Sequence, residues 1–580
     1  MFGAASSHGG LGSEVQTDKT GLTGDDRSGP GAGTVVDEPG GGAGPGRVAL
    51  GITRGAALIA ALTAISRLFG LARTLVFAQS VGAGCLGTAY MTANQVPNLI
   101  YELAVGGALT SAMVPVLARS AARSAADPAE KQRVSQITSA LLTWCVVILV
   151  PLTVIIMAAA GPIAELLIPP NPNADCARPA MISLTSTMVV IFAPQILLYG
   201  ISVVLSGLLQ AYRRFTGPTL APVIANVVVI CSYLGFAALD HGRSLAATPL
   251  AAELVLSIGT TMNIGMLVLV ALPPARRLRL RLRPTLAFPA GVTGRVGGLA
   301  LVGVLEFLGG DVASVITIDL ANGHGDTGAL VLVNYALLVL NSVTGVLALS
   351  IVTSAFPVLA ATDDASLNRL CAGSTRALLL VSWLGTAVIA AVTIPAAHLL
   401  VKQPSQVTQL IQAFLLMAPA VVGLALIANV ARVMFTLGRL KIAAAGLVGG
   451  QLLGALIDVP LVLAAPPRLS VEALSLGYSA SQLVVAVPLV LMMRRIRGRT
   501  ALEGVGRATF ASVVAWVAGG AVGLLVTQVA PTSGKLQDAG TGALAAVAAM
   551  VVFGVVAYAL DPGDLRLVAG RLRRFTRARA

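Results

Sequence analysis

Runs of about 20 apolar residues, the length that crosses roughly 30 Å of hydrocarbon, recur along almost the whole chain. They fall near residues 55–80, 89–117, 135–160, 181–210, 216–238, 249–272 and 297–320, and again near 328–358, 374–399, 407–435, 440–463, 471–493, 508–530 and 541–560. Composition points the same way. Of 580 residues, 56% are hydrophobic and 11% charged, with mean hydropathy +0.86, whereas soluble chains carry about 25% charged residues. In lipid each backbone N–H and C=O must find its partner within its own segment, so runs this long and apolar predict helices rather than barrel strands. The expected fold class is an all-α polytopic membrane protein with about 14 transmembrane helices.

Lys and Arg near span ends are retained on the cytoplasmic side. With the amino terminus inside, the cytoplasmic loops hold Arg119, Arg123, Lys131 and Arg133; Arg213 and Arg214; "RRLRLRLR" (276–283); Arg369; Arg439 and Lys441; and "RRIRGR" (494–499), and the carboxy tail adds "RLRRFTRARA". The opposite loops hold Arg178, Arg243, Lys402, Arg468 and Lys535. Both termini are expected in the cytoplasm, with the chain crossing the membrane many times. The net charge of +14 then reflects topology and attraction to membrane lipids of the anionic inner leaflet. No aromatic-basic module accompanies it, so no nucleic-acid partner is expected.

The Gly-rich, acidic residues 1–50 are too poor in large apolar side chains to bury a core and are expected to be a disordered cytoplasmic tail. They lack the basic and apolar regions of a secretory signal. Five cysteines (Cys85, Cys145, Cys176, Cys231 and Cys371) show no CxxC spacing, so neither a disulfide framework nor a metal site is expected. The P-loop, nucleophile-elbow and HExxH patterns are absent; the only "GK", Gly534–Lys535, is followed by Leu536. The chain is read as not an enzyme and as having no resident cofactor, and transport by it would run on an ion gradient or on membrane potential.

Against this background the stretch "ISRLFGLART" (65–74) places Arg67 and Arg73 inside the first run. A charge at mid-membrane costs about 2.5–3.5 kcal/mol on insertion scales, and such residues face a partner or a wet cavity. One arginine near a span end is as well explained by snorkelling; two in one span are not. Six positions apart, they sit about 120° apart around the helix, with Gly70 between them to allow a bend or close approach. Guanidinium forks suit bidentate binding of phosphate, so an anionic, phosphorylated substrate in a central cavity is expected. Further intramembrane ionisable groups are Glu102, Glu306, Asp311, Asp319, Arg432 and Asp458. Each has the blander reading of a buried pair partner, and Asp319 that of an interfacial residue.

"TSAMVPVLA" (110–118) and "TSAFPVLA" (353–360) end spans 2 and 8, as a duplication of six spans would produce. Six is even, so the copies would be parallel, an architecture in which substrate binds between the halves. The expected division is 51–285 for a first six-helix lobe, 286–500 for a second, 501–562 for two extra transmembrane helices, and 563–580 for a basic cytoplasmic tail.

These segments carry a resemblance. "ISRLFGLART", "NQVPNLIYELAVGGALTSAMVPVLAR" and "PQILLYGISVVLSGLLQAYRRFTGPTLAPVIANVVVI" (194–230) resemble the MurJ (MviN) family of lipid II flippases in the MOP exporter superfamily, in a form most similar to actinobacterial members. The resemblance covers approximately residues 52–495. It implies alternating access of two lobes that moves undecaprenyl-pyrophosphate-linked disaccharide pentapeptide, lipid II, to the outer leaflet for peptidoglycan synthesis, with spans 13 and 14 forming a groove for the lipid tail. It further implies that Arg67 and Arg73 line a cationic cavity. Asn98, Glu102 and Arg432 would be further substrate-binding positions, with Asp458, and with it Asp311, in ion coupling.

The chain also departs from the family pattern. Thr88 stands where many members have Asp, Tyr101 and Glu102 replace Arg-Arg, Gly106 replaces an acid, and Leu337 and Leu338 replace an Asp–Arg pair. Two other readings therefore stand beside the flippase: an exporter of another polyprenyl-linked glycan or amphiphile, and a non-transporting scaffold for cell-wall or division proteins.

Overall fold

The computed structural model describes residues 65–102, 127–171, 175–212, 214–240, 248–289, 310–348, 364–437, 439–529 and 534–563, with isolated positions at 117, 120, 121, 123, 124 and 308. The tail of residues 1–50, the start of span 1 and both repeat motifs apart from Leu117 lie outside these residues.

Among the described residues every regular element is helical. Helix α1 (65–80) leads through a tight turn to α2 (Cys85–Tyr101). Next come α3 (Pro128–Ala158), the short α4 (Ala160–Leu167), α5 (Arg178–Phe192), α6 (Gln195–Ala211), α7 (Thr216–Asp240) and α8 (Leu250–Arg276). The second half holds α9 (310–323), α10 (Ala329–Val343) with a π turn (Thr344–Ala348), α11 (Asp364–Leu400), α12 (Pro404–Met417), α13 (Ala420–Thr436), α14 (Leu440–Ala464) and α15 (Ser470–Arg497). Two more helices, α16 (Val505–Val529) and α17 (Lys535–Leu560), follow.

Among the described residues ten helices are long and apolar enough to cross a membrane, and Val448–Ala464 is a shorter apolar one. The three remaining runs of the hydropathy reading are represented by α1, α2 and α9, whose neighbouring residues are not described. Local signals explain the starts: Asp127 caps α3, its carboxylate accepting from Ala129 N at 2.8 Å, with Pro128 in the first turn.

Packing separates one end of the molecule from the other. One apolar cluster, around Ile137, Leu149, Val204 and Leu208, is built from residues of the first half, and another, around Ile427, Val430, Met434 and Leu489, from the second. A third, around Phe77, Tyr90, Phe192, Tyr335 and Phe414, takes side chains from both. The two separate cores lie toward the end where α3 begins and α15 finishes, the basic end; the shared core lies toward the other. Helices α16 and α17 pack on α11 and on each other through small residues: a Cβ at Gly523 would overlap Ala391 of α11, and one at Gly519 would stand 2.8 Å from Ala549 O of α17. Such surfaces let membrane helices approach closely.

The expectation of no disulfide is corrected: Cys85 and Cys176 are bonded, their Cα atoms 5.8 Å apart. Cys85 opens α2 and Cys176 just precedes α5, and α2 packs on α5. Their spacing of 91 residues carries no sign of this pairing. Cys145, Cys231 and Cys371 are free.

Candidate functional site

Opposite the basic end, at the disulfide end, the halves are stitched by amide side chains. Gln406 Nε2 donates to the carbonyl oxygens of Ala83 and Thr327, each at 3.0 Å. Asn322 Nδ2 donates to Thr92 Oγ1 (2.9 Å) and Leu167 O (2.8 Å), and Asn171 Nδ2 to Asn322 O (2.8 Å) and Gly325 O (2.7 Å). Gln79 donates to Leu399 O at 2.6 Å and accepts from Lys535 Nζ at 2.6 Å. Gly328, at φ +92°, starts α10 hard against the Ala83 carbonyl, where a Cβ would overlap it. Beneath this seal, Tyr90 shares hydrogen bonds of 2.9 Å with Tyr233 and Thr260, and Phe77 packs on Tyr90 with ring centroids 5.2 Å apart.

Toward the basic end a cavity of about 410 Å³ opens between α1, α7 and α10, lined by Arg67, Gly70, Pro218, Thr219, Leu338 and Ser342, among others. Its volume lies within the range of small-molecule sites. Arg67 is exposed, and its guanidinium lies beside Gly345 of the π turn. Gly70 has no atom within 4 Å of a would-be Cβ, and α1 is continuous through it. It leaves room in the cavity rather than bending the helix. Leu338, one of the departures from the family pattern, forms part of the wall that Arg67 shares. A neighbouring cavity of about 250 Å³ shares Pro218 and Pro222 and is lined by Tyr101, Ser202, Ser206 and Gln210.

The sequence reading placed both arginines in one cavity; Arg67 lines the cavity of about 410 Å³, and Arg73 is not among its lining residues. Arg73 is half-buried and within electrostatic range of Tyr90, Tyr199 and Tyr233. Asn98 is engaged by Tyr199, whose hydroxyl donates to Asn98 Oδ1 at 3.2 Å, and the Tyr199 ring stacks on Tyr101 at 4.2 Å. Glu102 is exposed and within electrostatic range of Tyr101, Tyr199 and Asp311. Arg432 is half-buried on α13 and does not line the cavity of Arg67.

Of the two carboxylates expected in ion coupling, Asp458 lines a cavity among the described residues. Asp458, 5% exposed, borders a cavity of about 90 Å³ with Gln95, Ser314, Asn334, Gln451 and Gln482. Asp311, 8% exposed, is not among its lining residues, and neither of its carboxyl oxygens has a hydrogen-bond partner among the described residues. Asp319 is exposed near the disulfide end, in keeping with the interfacial reading. Sequence reasoning missed Gln79, Gln95, Asn171, Asn322, Asn334 and Gln406. The available signal was an uncharged amide in or beside an apolar run, which is weaker than a charge.

Residues 77–537 match the family described as "Lipid II flippase MurJ". A "Probable lipid II flippase MurJ" of a Synechocystis species is 29% identical over 241 residues, 40% of this chain and 42% of the relative, so the alignment spans less than half of that protein. Among solved structures, one described as "Lipid II flippase MurJ, inward closed conformation" shares the fold with TM-score 0.66 at 14% identity, covering 86% of this chain and 98% of the other. An inward-facing multidrug resistance MATE transporter of the MOP superfamily gives TM-score 0.58 at 13% identity, over 76% of this chain and 96% of its own.

Proposed function

Because the chain belongs to the lipid II flippase MurJ family, we propose that it carries lipid II from the inner to the outer leaflet of the bacterial cytoplasmic membrane. The observation that carries this reading is the cavity containing Arg67 between the two halves, open toward the basic end and sealed at the other by Gln79, Asn171, Asn322 and Gln406. The basic end is the cytoplasmic one under the positive-inside rule, and the disulfide at the other end suits an oxidising exterior. Both termini are then cytoplasmic.

Arg67 engages the pyrophosphate, for which a planar fork of donors is suited. The adjoining cavity offers the Tyr101 and serine hydroxyls and the Gln210 amide to the sugars. The polyprenyl tail stays in lipid beside α16 and α17. Arg73, further along α1, comes into reach as the halves move. A ligand bound equally in both states shifts nothing, so a gradient must bias the outward state. Asp458 in its polar cavity is the residue we assign to a coupling sodium ion, while membrane potential supplies about 2.3 kcal/mol per elementary charge per 100 mV.

One observation favours a second substrate. Leu338 shares the Arg67 cavity where the family pattern has a cation, which suits a polyprenyl-linked amphiphile of lower headgroup charge.

The test is outer-leaflet exposure of lipid II in cells depleted of the protein and re-supplied with the wild type or with Arg67→Ala/Arg73→Ala. Exposure restored by the wild type alone is the expected result. Exposure unaffected by depletion, with no second flippase in the cell, overturns lipid II as the substrate; full rescue by the double variant overturns the cation site and favours a scaffold.

A further inference from the structure

A larger cavity, about 840 Å³, lies apart from the cation site, where the chain leaves α8. Residues 280–289 run without regular secondary structure across the basic end of α3. Three hydroxyl residues one helical turn apart on α3 hold the backbone of this arm. Ser135 Oγ donates to Arg281 O, Arg283 N donates to Ser139 Oγ (3.0 Å), and Thr285 N donates to Thr143 Oγ1 (3.1 Å). Four residues of helix rise about 6 Å and two residues of extended chain about 6.6 Å, so the two registers match and the bonds repeat. Trp144 Nε1 adds a bond to Leu286 O at 3.1 Å, and Leu278, Leu280 and Phe288 insert into the first half's core. The arm is therefore a fixed wall.

Its cations face the cavity. Arg279, Arg281 and Arg283 line it together with Lys131, Gln132 and Gln136 of α3, and among the described residues no carboxylate lines it. The nearby Asp127 is occupied capping α3. Arg279 holds φ +51°, a left-handed conformation that non-glycine residues seldom adopt and that accompanies functional sites. Beside the cleft, Leu282, Leu286 and Trp144 are exposed, and Val146, Val147 and Ile148 follow on α3. Exposed leucines next to an exposed tryptophan and a row of arginines mark a membrane interface.

We propose that this cleft is a site for the phosphate headgroup of an anionic phospholipid of the cytoplasmic leaflet. The arginines and Lys131 hold the phosphate, the two glutamines hold the polar part of the headgroup, and the acyl chains descend past Leu282, Leu286 and Trp144. A soluble phosphorylated molecule offers the same anion but makes no use of that apolar border, which is why the lipid is the source we assign. The site rests on the basic end being cytoplasmic and is independent of what the central cavity carries.

The test is lipid retention by the full chain, purified in detergent and measured by native mass spectrometry with short-chain phosphatidylglycerol, phosphatidylcholine, glycerol 3-phosphate or inorganic phosphate. Basic residues near a membrane surface contribute on the order of fivefold each. Phosphatidylglycerol is therefore expected to be held about tenfold or more above phosphatidylcholine. Arg279→Gln/Arg281→Gln/Arg283→Gln should lose that preference, and Lys131→Gln should weaken it about fivefold. The arm is held by its backbone and its apolar side chains, so the triple variant should elute as the folded protein; Lys131→Gln supplies an independent second variant. Equal retention of the two lipids, or an unchanged preference in the triple variant, overturns the site. Displacement of phosphatidylglycerol by glycerol 3-phosphate or phosphate at matching concentrations overturns the lipid in favour of a soluble anion.

Discussion

The Arg67 guanidinium rests against Gly345: a Cβ built on that glycine would stand 3.4 Å from Nη2. Arg67 belongs to α1 and Gly345 to the π turn that extends α10, so this contact ties the cavity's cation to the opposite half of the molecule.

Bulk at position 345 should therefore act through Arg67. The near atoms are the far end of a flexible side chain, so Gly345→Ala should leave flipping within about twofold. Gly345→Leu should displace the guanidinium and lower flipping about tenfold, equivalent to roughly 1.4 kcal/mol. Outer-leaflet lipid II exposure normalised to protein abundance checks this, and wild-type exposure with Gly345→Leu would remove Arg67 from the working site.

Gln406 bridges the halves from a buried position. Gln406→Ala removes both bonds and leaves two carbonyls without their partner, a cost of about 2–3 kcal/mol. Opening at the disulfide end should then rise roughly 30-fold or more, since each 1.4 kcal/mol is tenfold. Spin labels at the exposed Asp175 and Gln403 should show a longer distance population; an unchanged distribution would mean that the seal does not depend on this amide.

The Cys85–Cys176 bond closes a loop with a sequence separation of 91. Cys85→Ser/Cys176→Ser should destabilise by about 2–4 kcal/mol, toward the low end because the membrane already restricts the unfolded chain. Thermal unfolding with and without reductant is the measurement. Reductant should lower the wild-type Tm to that of the variant and leave the variant where it is; a wild type insensitive to reductant contradicts the bond's role.

For Asp458, the expected consequence is loss of ion dependence. In reconstituted vesicles an imposed sodium gradient should accelerate wild-type flipping, and Asp458→Asn should lose most of that response while keeping its response to membrane potential. A variant with the wild-type sodium response would return Asp458 to the status of a buried polar residue packed against Gly477.

Much of the fold and part of the site were legible in the chain. Arg67 stood out because an arginine in an apolar run has few places to go, and it does line a cavity. Arg73 carried the same signal and is not among that cavity's lining residues, because the helix angle between two residues does not say which neighbours fill each direction. Asp458 borders a cavity with the amides of Gln95, Asn334, Gln451 and Gln482, a grouping that position along the chain does not reveal.

The run lengths and charge bias alone settled that this is a helical, many-spanning membrane chain. Those are local properties, fixed by the bilayer's thickness and by its lack of hydrogen-bonding solvent. Which polar groups meet was decided by tertiary packing. Asn322 reaches Thr92 across a sequence separation of 230 and Gln406 reaches Ala83 across 323, and Cys85 finds Cys176 only because α2 lies on α5. In an apolar medium a side-chain amide or thiol has few partners to choose from, and the packing of helices far apart in sequence determines which one is within reach.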